Sequence, residues 1–279
     1  MSLRKEKIRS KDTGLELGLL IAQYFFDTEH LHYGIWPKDL DVKPINIKKA
    51  QENHSQFILD TIPENVKSIL DVGGGSGGLA QKLTNQNYQV DCVSPSEYLA
   101  DEIEKKLAGK VNVYHGKFED VSIPKKYDLV LFSESFQYMR IRHALKKVLQ
   151  VTKPNGHMLI FDYFTLESAG KSPIGGGHKW ETSQKIISEF PFELISDQDL
   201  SKEAAPTQAL LGQFADQVAD PGRKILGEYL ESHYPKLMKF LKWKLSKKIE
   251  KIEKEYFSGI QSVETFIKHK TYRLLLYRT

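Results

Sequence analysis

The feature of this sequence with the clearest chemical potential is an acidic residue followed at once by glycines. Asp71 ends the apolar run "ILD", and five of the next seven residues are glycines. A helical pattern begins directly after them, and the free N–H groups and dipole of a helix start favour a polar or anionic ligand. Because glycine has no Cβ atom, such a ligand can contact the backbone. The turn therefore predicts a site for a nucleotide-like cofactor.

The glycine turn fits two cofactor motifs. It matches G-x-G-x-x-G, which is typical of dinucleotide sites, and it matches D-x-G-x-G-x-G beginning at Asp71. A dinucleotide site accepts pyrophosphate at this turn and has Asp or Glu at the end of the second strand. Asp71 would repel pyrophosphate but suits a cofactor that carries an ammonium and a sulfonium, and the second strand "YQVDCVSPS" ends in Ser94. Both observations argue against NAD.

Short apolar runs alternate with helical patterns around this turn, which is typical of a parallel sheet built from βαβ units. Two amphipathic helices, one over residues 17–25 and one near 46–61, precede the sheet. The predicted strands lie near residues 67–72, 88–93, 111–115, 127–133, 157–163, 192–196 and 272–278. The predicted helices between them lie near residues 77–85, 97–107, 141–151 and 181–189.

The stretch between Asp199 and Thr271 has no strand pattern and reads as a helical insertion. Residues 236–257 combine an apolar stripe at three- and four-residue steps with a lysine-rich face. Between Arg223 and Phe257 there are ten basic and five acidic residues, and this excess of five accounts for the net charge of +4 of the whole chain. The helix either packs on the domain with a solvated lysine face, or contacts an anionic membrane or acidic substrate.

Composition excludes several classes of protein. A chain of 279 residues with 40% hydrophobic residues indicates one globular α/β domain with an elaboration. The small net charge and the lack of aromatic-interleaved basic stretches argue against nucleic-acid binding. No apolar run is long enough to span a membrane, and no signal peptide is recognisable. The single cysteine, Cys92, favours a reducing, cytoplasmic compartment.

Several segments, in order, resemble the class I S-adenosylmethionine-dependent methyltransferases. They are "ILDVGGGSGGLA", "KKYDLVLFSESFQYM", "VTKPNGHMLIFDYF" and "YRLLLYR". The segment "YFFDTEHLHYGIW" resembles the small-molecule branch, which includes tocopherol C-methyltransferases and sarcosine or phosphoethanolamine N-methyltransferases. The resemblance implies an α/β fold with a Rossmann-like, doubly wound, seven-stranded sheet whose last strand is antiparallel. The implied domains are an N-terminal helical lid (1–52), a core (53–199 and 263–279) and a helical substrate lid (200–262).

The resemblance also implies S-adenosylmethionine as the cofactor and S-adenosylhomocysteine as its product. The glycine turn would hold the methionine end and Ser94 the ribose. The backbone at Phe118, with Glu119 or Asp120, would face the adenine, because Lys117 replaces the usual Asp. Ser133 and Glu134 end the fourth strand beside the cofactor. For each polar residue, strand-end capping is the alternative. The predicted cofactor-binding residues are Asp71, Gly73, Gly75, Gly77, Ser94, Phe118, Glu119 and Ser133.

Four residues are candidates for the chemistry of the acceptor. His32 and Tyr33 resemble family residues that close over cofactor and substrate, although a helix end packed on the sheet would also explain them. His178 follows the flexible glycine loop "IGGG" and is either a base near neutral pH or a solvent-exposed loop residue. Tyr138 either lines the pocket or packs under a helix, and packing is favoured.

A metal site and a cysteine nucleophile are both disfavoured. The segment "EHLH" contains two histidines at i and i+2, which do not share a helical face, so we predict no metal. Cys92 lies inside the second predicted strand. The sequence predicts methyl transfer to a small molecule through a nitrogen, oxygen or carbon nucleophile. The alternatives are a cyclopropane-synthase-like enzyme acting on lipid, a catalytically silent cofactor-binding module that acts through a partner, and an NAD-linked oxidoreductase.

Overall fold

The computed structural model describes residues 10–256 and 261–279. The strands are β1 (Ser68–Val72), β2 (Gln89–Ser94), β3 (Val113–His115), β4 (Tyr127–Ser133), β5 (Thr152–Thr165), β6 (His178–Lys179), β7 (Glu193–Asp199) and β8 (Lys270–Arg278). The helices are α1 (Ser10–Phe26), α2 (Ile47–Thr61), α3 (Gly78–Asn85), α4 (Glu97–Leu107), α5 (Ile141–Val151), α6 (Trp180–Ile187), α7 (Ser201–Phe214), α8 (Asp220–His233), α9 (Pro235–Tyr256) and α10 (Val263–His269).

A single mixed sheet organises the core. Its main strand order is β3-β2-β1-β4-β5-β8-β7, and the two-residue β6 pairs with the end of β5. Strands β1 to β5 are parallel, whereas β8 runs antiparallel between β5 and β7. This confirms the predicted Rossmann-like sheet with an antiparallel last strand. The strand order reverses between β1 and β4, and ligands bind at such a reversal, beyond the carboxyl ends of the strands.

Both faces of the sheet are covered, because alternate side chains of each strand point to opposite sides. In β4, Leu129 and Leu131 belong to one buried cluster, and Val130 and Phe132 belong to the other. All four side chains are fully buried. This packing fixes the carboxyl end of β4 beside that of β1.

The chain that follows the first helix, and that carries His32 and Tyr33, is irregular rather than helical. The first helix ends at Phe26, before "EHLHYGIWP", and Asp27 adopts a left-handed conformation with φ 48°. The backbone that follows bonds to a side chain of α2, since the amide nitrogen of Gln51 donates to the carbonyls of His30 (3.1 Å) and His32 (2.7 Å). This segment therefore enters the site as irregular chain.

The insertion before β8 is helical, as predicted. Helix α7 continues through a π-helical turn, Ala215–Ala219, into α8, and α9 follows. The predicted end of the lysine-rich helix at Phe257 lies outside the described residues. None of the described helices combines the length and the apolar character needed to cross a bilayer.

Candidate functional site

A pocket opens at the carboxyl ends of β1 and β4, where the strand order reverses. Its lining combines the glycine turn, the start of α4, the end of β4 and the irregular chain after α1. The lining includes Glu29, His30, His32, Asp71, Gly73, Gly75, Ser94, Ser96, Ser133, Glu134, Ser135 and Tyr138. Segments far apart in sequence therefore form one site.

Backbone geometry explains the glycines of the turn. Gly73 has φ 81°, its N–H donates to the carbonyl of Val93 (2.8 Å), and a Cβ atom built on it would lie 2.5 Å from Cβ of Ser135. Gly75 has φ 54°, and a Cβ built there would meet no atom within 4 Å. The position of Gly73 therefore excludes any side chain, and the backbone at Gly75 faces open space.

Asp71 is the buried charge of the site. Its side chain is 1% exposed, and neither carboxylate oxygen has a hydrogen-bond partner among the described residues. Burial raises the pKa of Asp71 to about 7. A buried carboxylate without a partner is costly, and a cationic ligand would remove that cost.

Glu134 is a second buried carboxylate, directly after β4. It adopts a left-handed conformation with φ 49°. Its Oε1 accepts a hydrogen bond from the N–H of Tyr33 (2.6 Å) and another from the hydroxyl of Tyr272. Burial raises the pKa of Glu134 to about 8, and neighbouring Asp162 adds to the shift. A carboxyl group with this pKa can exchange a proton near neutral pH.

Three histidine rings lie in a row at the pocket, with His54 buried and with His30 and His32 partly buried in the pocket lining. Ring centroids are 4.7 Å apart for His30 and His32 and 4.0 Å apart for His32 and His54, and His54 stacks on Phe161 at 4.0 Å. Burial lowers the pKa of His30 to about 2 and that of His32 to about 4. The stack is therefore neutral at physiological pH, and His32 is a weak base.

Tyr33 joins three parts of the chain. Its N–H reaches Glu134, and its hydroxyl donates to Oε1 of Gln208 on α7 (2.5 Å). Its ring stacks on those of Tyr163 and Tyr272, at centroid distances of 5.7 and 5.9 Å. Tyr33 therefore links the irregular N-terminal chain to the insertion and to the end of β4.

The structure brings part of the predicted cofactor set together. Ser94 and Ser133 line the pocket, but the hydroxyl of Ser94 donates to the carbonyl of Ser96 (3.0 Å). Gly77, Phe118 and Glu119 lie outside the lining. Phe118 packs in the core, 5.6 Å from the ring of Phe132, and Glu119 accepts the N–H of Arg140 (3.0 Å). The residues predicted to contact the adenine therefore do not line this pocket.

His178 also lies outside the lining, and it is partly buried rather than solvent-exposed. Its Nε2 lies 3.0 Å from the carbonyl of Phe136, and burial lowers its pKa. The glycine loop before it is held by Lys270, which is 1% exposed and donates to the carbonyl of Gly176 (2.5 Å) and to Oγ1 of Thr165 (2.7 Å). A buried lysine therefore contacts the end of this loop, and the flexibility expected of the loop stays a prediction.

Tyr138 lines the pocket with 55% of its side chain exposed, rather than packing under a helix. Its position follows from the short helical turn after Glu134, which sequence periodicity cannot resolve. Among residues 10–256 and 261–279, no group of three or more His, Cys, Asp or Glu side chains is arranged to hold a metal ion.

The residues present fit S-adenosylmethionine. Its ammonium would supply the partner that the buried carboxylate of Asp71 lacks, and the open backbone at Gly75 can admit a ligand. The start of α3 directs free N–H groups into the same turn, where they can receive a carboxylate. Thus a zwitterionic amino-acid end matches both charges of the turn.

Comparison with known proteins also indicates a methyltransferase. Residues 69–156 match the model of a methyltransferase domain. The malonyl-[acyl-carrier protein] O-methyltransferase of Priestia megaterium is 27% identical over 210 residues, covering 72% of this chain and 65% of that relative.

Two solved structures share the fold over nearly the whole chain. The [4+2]-cyclase SpnF gives a TM-score of 0.69 at 18% identity, covering 96% of this chain and 93% of that one. Geranyl diphosphate C-methyltransferase of Streptomyces coelicolor A3(2), solved with Mg²⁺, geranyl diphosphate and S-adenosyl-L-homocysteine, gives 0.65 at 13% identity, covering 98% and 99%. Since a cyclase and a methyltransferase share this fold, the fold alone does not fix the reaction. Residues 69–156 are therefore a methyltransferase domain, and the chain has the fold of the class I S-adenosylmethionine-dependent methyltransferases.

Proposed function

We propose that this protein transfers a methyl group from S-adenosylmethionine to a small-molecule acceptor. The observation that carries the proposal is the buried, unpartnered carboxylate of Asp71 at the glycine turn. The cofactor, when bound, supplies an electrophilic methyl group on a sulfonium. The methyltransferase domain over residues 69–156 and a relative named as an O-methyltransferase support the same reaction class.

The chain's main task in such a displacement is to align the reactants and exclude water. The irregular N-terminal chain and α7 are tied together above the strand ends. Besides the Tyr33–Gln208 bond, the N–H of Gly34 donates to Oγ1 of Thr207 (3.1 Å). We assign residues 1–52 and 200–262 to a cover over the acceptor, and residues 53–199 and 263–279 to the cofactor-binding core.

Glu134 is the residue we assign to proton removal from a hydroxyl or amine acceptor. It lines the same pocket as Asp71, and its pKa of about 8 suits proton exchange near neutral pH. Both hydrogen-bond donors reach the same oxygen, Oε1, and keep the carboxyl group in place. The low pKa of His32 makes it a weak base, so we do not assign proton removal to it. His32 and Tyr33 instead hold the groups around Glu134 in position.

His178 receives a smaller role than its sequence context suggests. It lies outside the pocket lining, and its Nε2 is engaged by the carbonyl of Phe136. We expect His178→Ala to leave cofactor binding intact. Slower transfer in that variant, with normal binding, would return His178 to the mechanism.

The test is incubation of the full chain with isotope-labelled S-adenosylmethionine and fractionated metabolite extract, followed by mass spectrometry. A labelled small-molecule product that Asp71→Asn no longer forms would support the proposal. Calorimetry with S-adenosylhomocysteine separates the alternatives. Binding without any labelled product would indicate a silent module, a ring-bearing lipid product would indicate cyclopropane chemistry, and absence of binding would overturn the proposal.

A further inference from the structure

The α8–α9 part of the insertion exposes an unusual amount of apolar surface. Helix α8 has no buried residue, and its Ile225 is 70% exposed. On α9, Trp243 is 74% exposed. Large apolar side chains scattered singly on a surface are ordinary, but a cluster of them indicates an interaction site. The exposed members on the two helices are Ile225, Leu226, Tyr229, Leu237, Phe240, Trp243 and Leu245.

Helix α9 has two apolar stripes. Met238, Leu241 and Ile249 are half-buried and form the stripe on the protein side. Phe240 and Trp243 lie three residues apart on another face, with their ring centroids 6.1 Å apart. This second, aromatic stripe has no counterpart in the periodicity that predicted the helix.

Lysines surround the aromatic stripe. Lys236 and Lys247 precede and follow Phe240 and Trp243 at helical spacing, so all four share one face. The ammonium of Lys244 lies 5.6 Å from the centre of the Phe240 ring. Among the described residues, Lys242 pairs with Glu231, whereas Lys236, Lys239, Lys244 and Lys247 have no acidic partner.

We propose that this face of α9, together with exposed α8, binds the surface of an anionic lipid bilayer. Tryptophan and phenylalanine insert at the boundary between headgroups and acyl chains, and lysines extend their ammonium groups to anionic headgroups. A second copy of the chain would present the same unpaired lysines, so like charges disfavour self-docking. No described helix can cross a bilayer, so the expected contact is parallel to its surface. The inference does not depend on the proposed function.

The test is sedimentation of the full chain with vesicles of phosphatidylglycerol and phosphatidylcholine, compared with phosphatidylcholine alone. We expect binding only to the anionic vesicles, a blue shift of Trp243 fluorescence, and loss of binding at about 0.5 M NaCl. Phe240→Ser combined with Trp243→Ser should weaken binding by more than roughly tenfold. Lys239→Glu combined with Lys247→Glu should do the same.

A matched control makes the same change of charge at two lysines outside α8 and α9. Lys110→Glu combined with Lys146→Glu alters two exposed lysines elsewhere and should leave vesicle binding unchanged. S-adenosylhomocysteine binding and the thermal midpoint of all variants should equal those of the parent chain. Equal binding to neutral vesicles, no binding, equal loss in the control variant, or a concentration-dependent dimer removed by the aromatic variant would overturn the proposal.

Discussion

The glycine turn after β1 and the helices α8 and α9 use the same kinds of residue in opposite ways. At the turn, Gly73 and Gly77 are enclosed by neighbouring side chains, Gly75 faces the open pocket, and a charged side chain, Asp71, is fully buried. On α8, Gly222 and Gly227 face open space, and large apolar side chains are exposed. The turn is therefore intolerant of substitution because the core encloses it. On the two helices, in contrast, we expect substitutions to be tolerated, because their side chains are exposed.

The largest expected effect is on turnover. Glu134→Gln keeps the size of the side chain but removes its ability to accept a proton, so we expect turnover to fall by roughly 100-fold or more. S-adenosylhomocysteine affinity should change little. The matched variant Glu228→Gln, on exposed α8, should have parental turnover. Rates measured against pH should rise through about 8 in the parent chain, as Glu134 ionises.

A glycine pair tests the comparison itself. Gly73→Ala places a Cβ against Ser135 at a backbone φ of 81°, so we expect about 1–3 kcal/mol of destabilisation and loss of S-adenosylhomocysteine binding. Gly227→Ala meets no neighbouring atom in a helix interior and should stabilise by about 0.5–1 kcal/mol. Urea unfolding and calorimetry measure both. Similar destabilisation by the two variants would contradict the contrast between the regions.

The ionisation of Asp71 gives a further test of the buried glycine turn. Burial raises its pKa to about 7, and a bound ammonium would lower that pKa. Cofactor binding near pH 6 should therefore release a proton, and affinity should rise by up to roughly tenfold between pH 6 and 8. Calorimetry in buffers of different ionisation enthalpy measures the released proton, which Asp71→Asn should abolish.

The same raised pKa affects the free protein. The native chain keeps a proton that the unfolded chain loses, so the contribution of Asp71 to the free energy of unfolding decreases as pH rises from about 4 to about 7. Asp71→Asn should remove this contribution. Unfolding measured across the same pH range checks the sign.

The smallest effect distinguishes a partly buried, hydrogen-bonded tyrosine from an exposed one. Tyr33→Phe removes the hydroxyl that donates to Gln208 and leaves that buried acceptor unsatisfied, so we expect a loss of about 1–2 kcal/mol. Tyr24→Phe alters a side chain that is 84% exposed and should change the free energy of unfolding by less than about 0.5 kcal/mol. If Tyr33→Phe lowered the free energy of unfolding as little as Tyr24→Phe does, the Tyr33–Gln208 hydrogen bond would contribute nothing to stability.

Local sequence patterns predict much of the fold of this protein and part of its site. The alternation of short strands and helices predicts the sheet, and Asp71 with its glycines predicts the cofactor turn, because these signals depend on neighbouring residues and a fixed spacing. The same periodicity predicts helix α9, although two residues of its predicted apolar stripe, Leu237 and Leu245, are exposed. The prediction was less complete for its second stripe, because exposure of Phe240 and Trp243 depends on which face meets the rest of the chain.

The tertiary structure decided the parts of the site that join distant residues. Glu134 receives the N–H of Tyr33 from 101 residues away and the hydroxyl of Tyr272 from 138 residues away. The stacked histidines and the buried Lys270 likewise owe their altered pKa values to burial. The sequence by itself determined the sheet and the cofactor turn, since local backbone preferences and side-chain periodicity specify them. Only the packed fold determined which carboxylates are desolvated and which rings stack, since these depend on neighbours that the chain brings together from far apart.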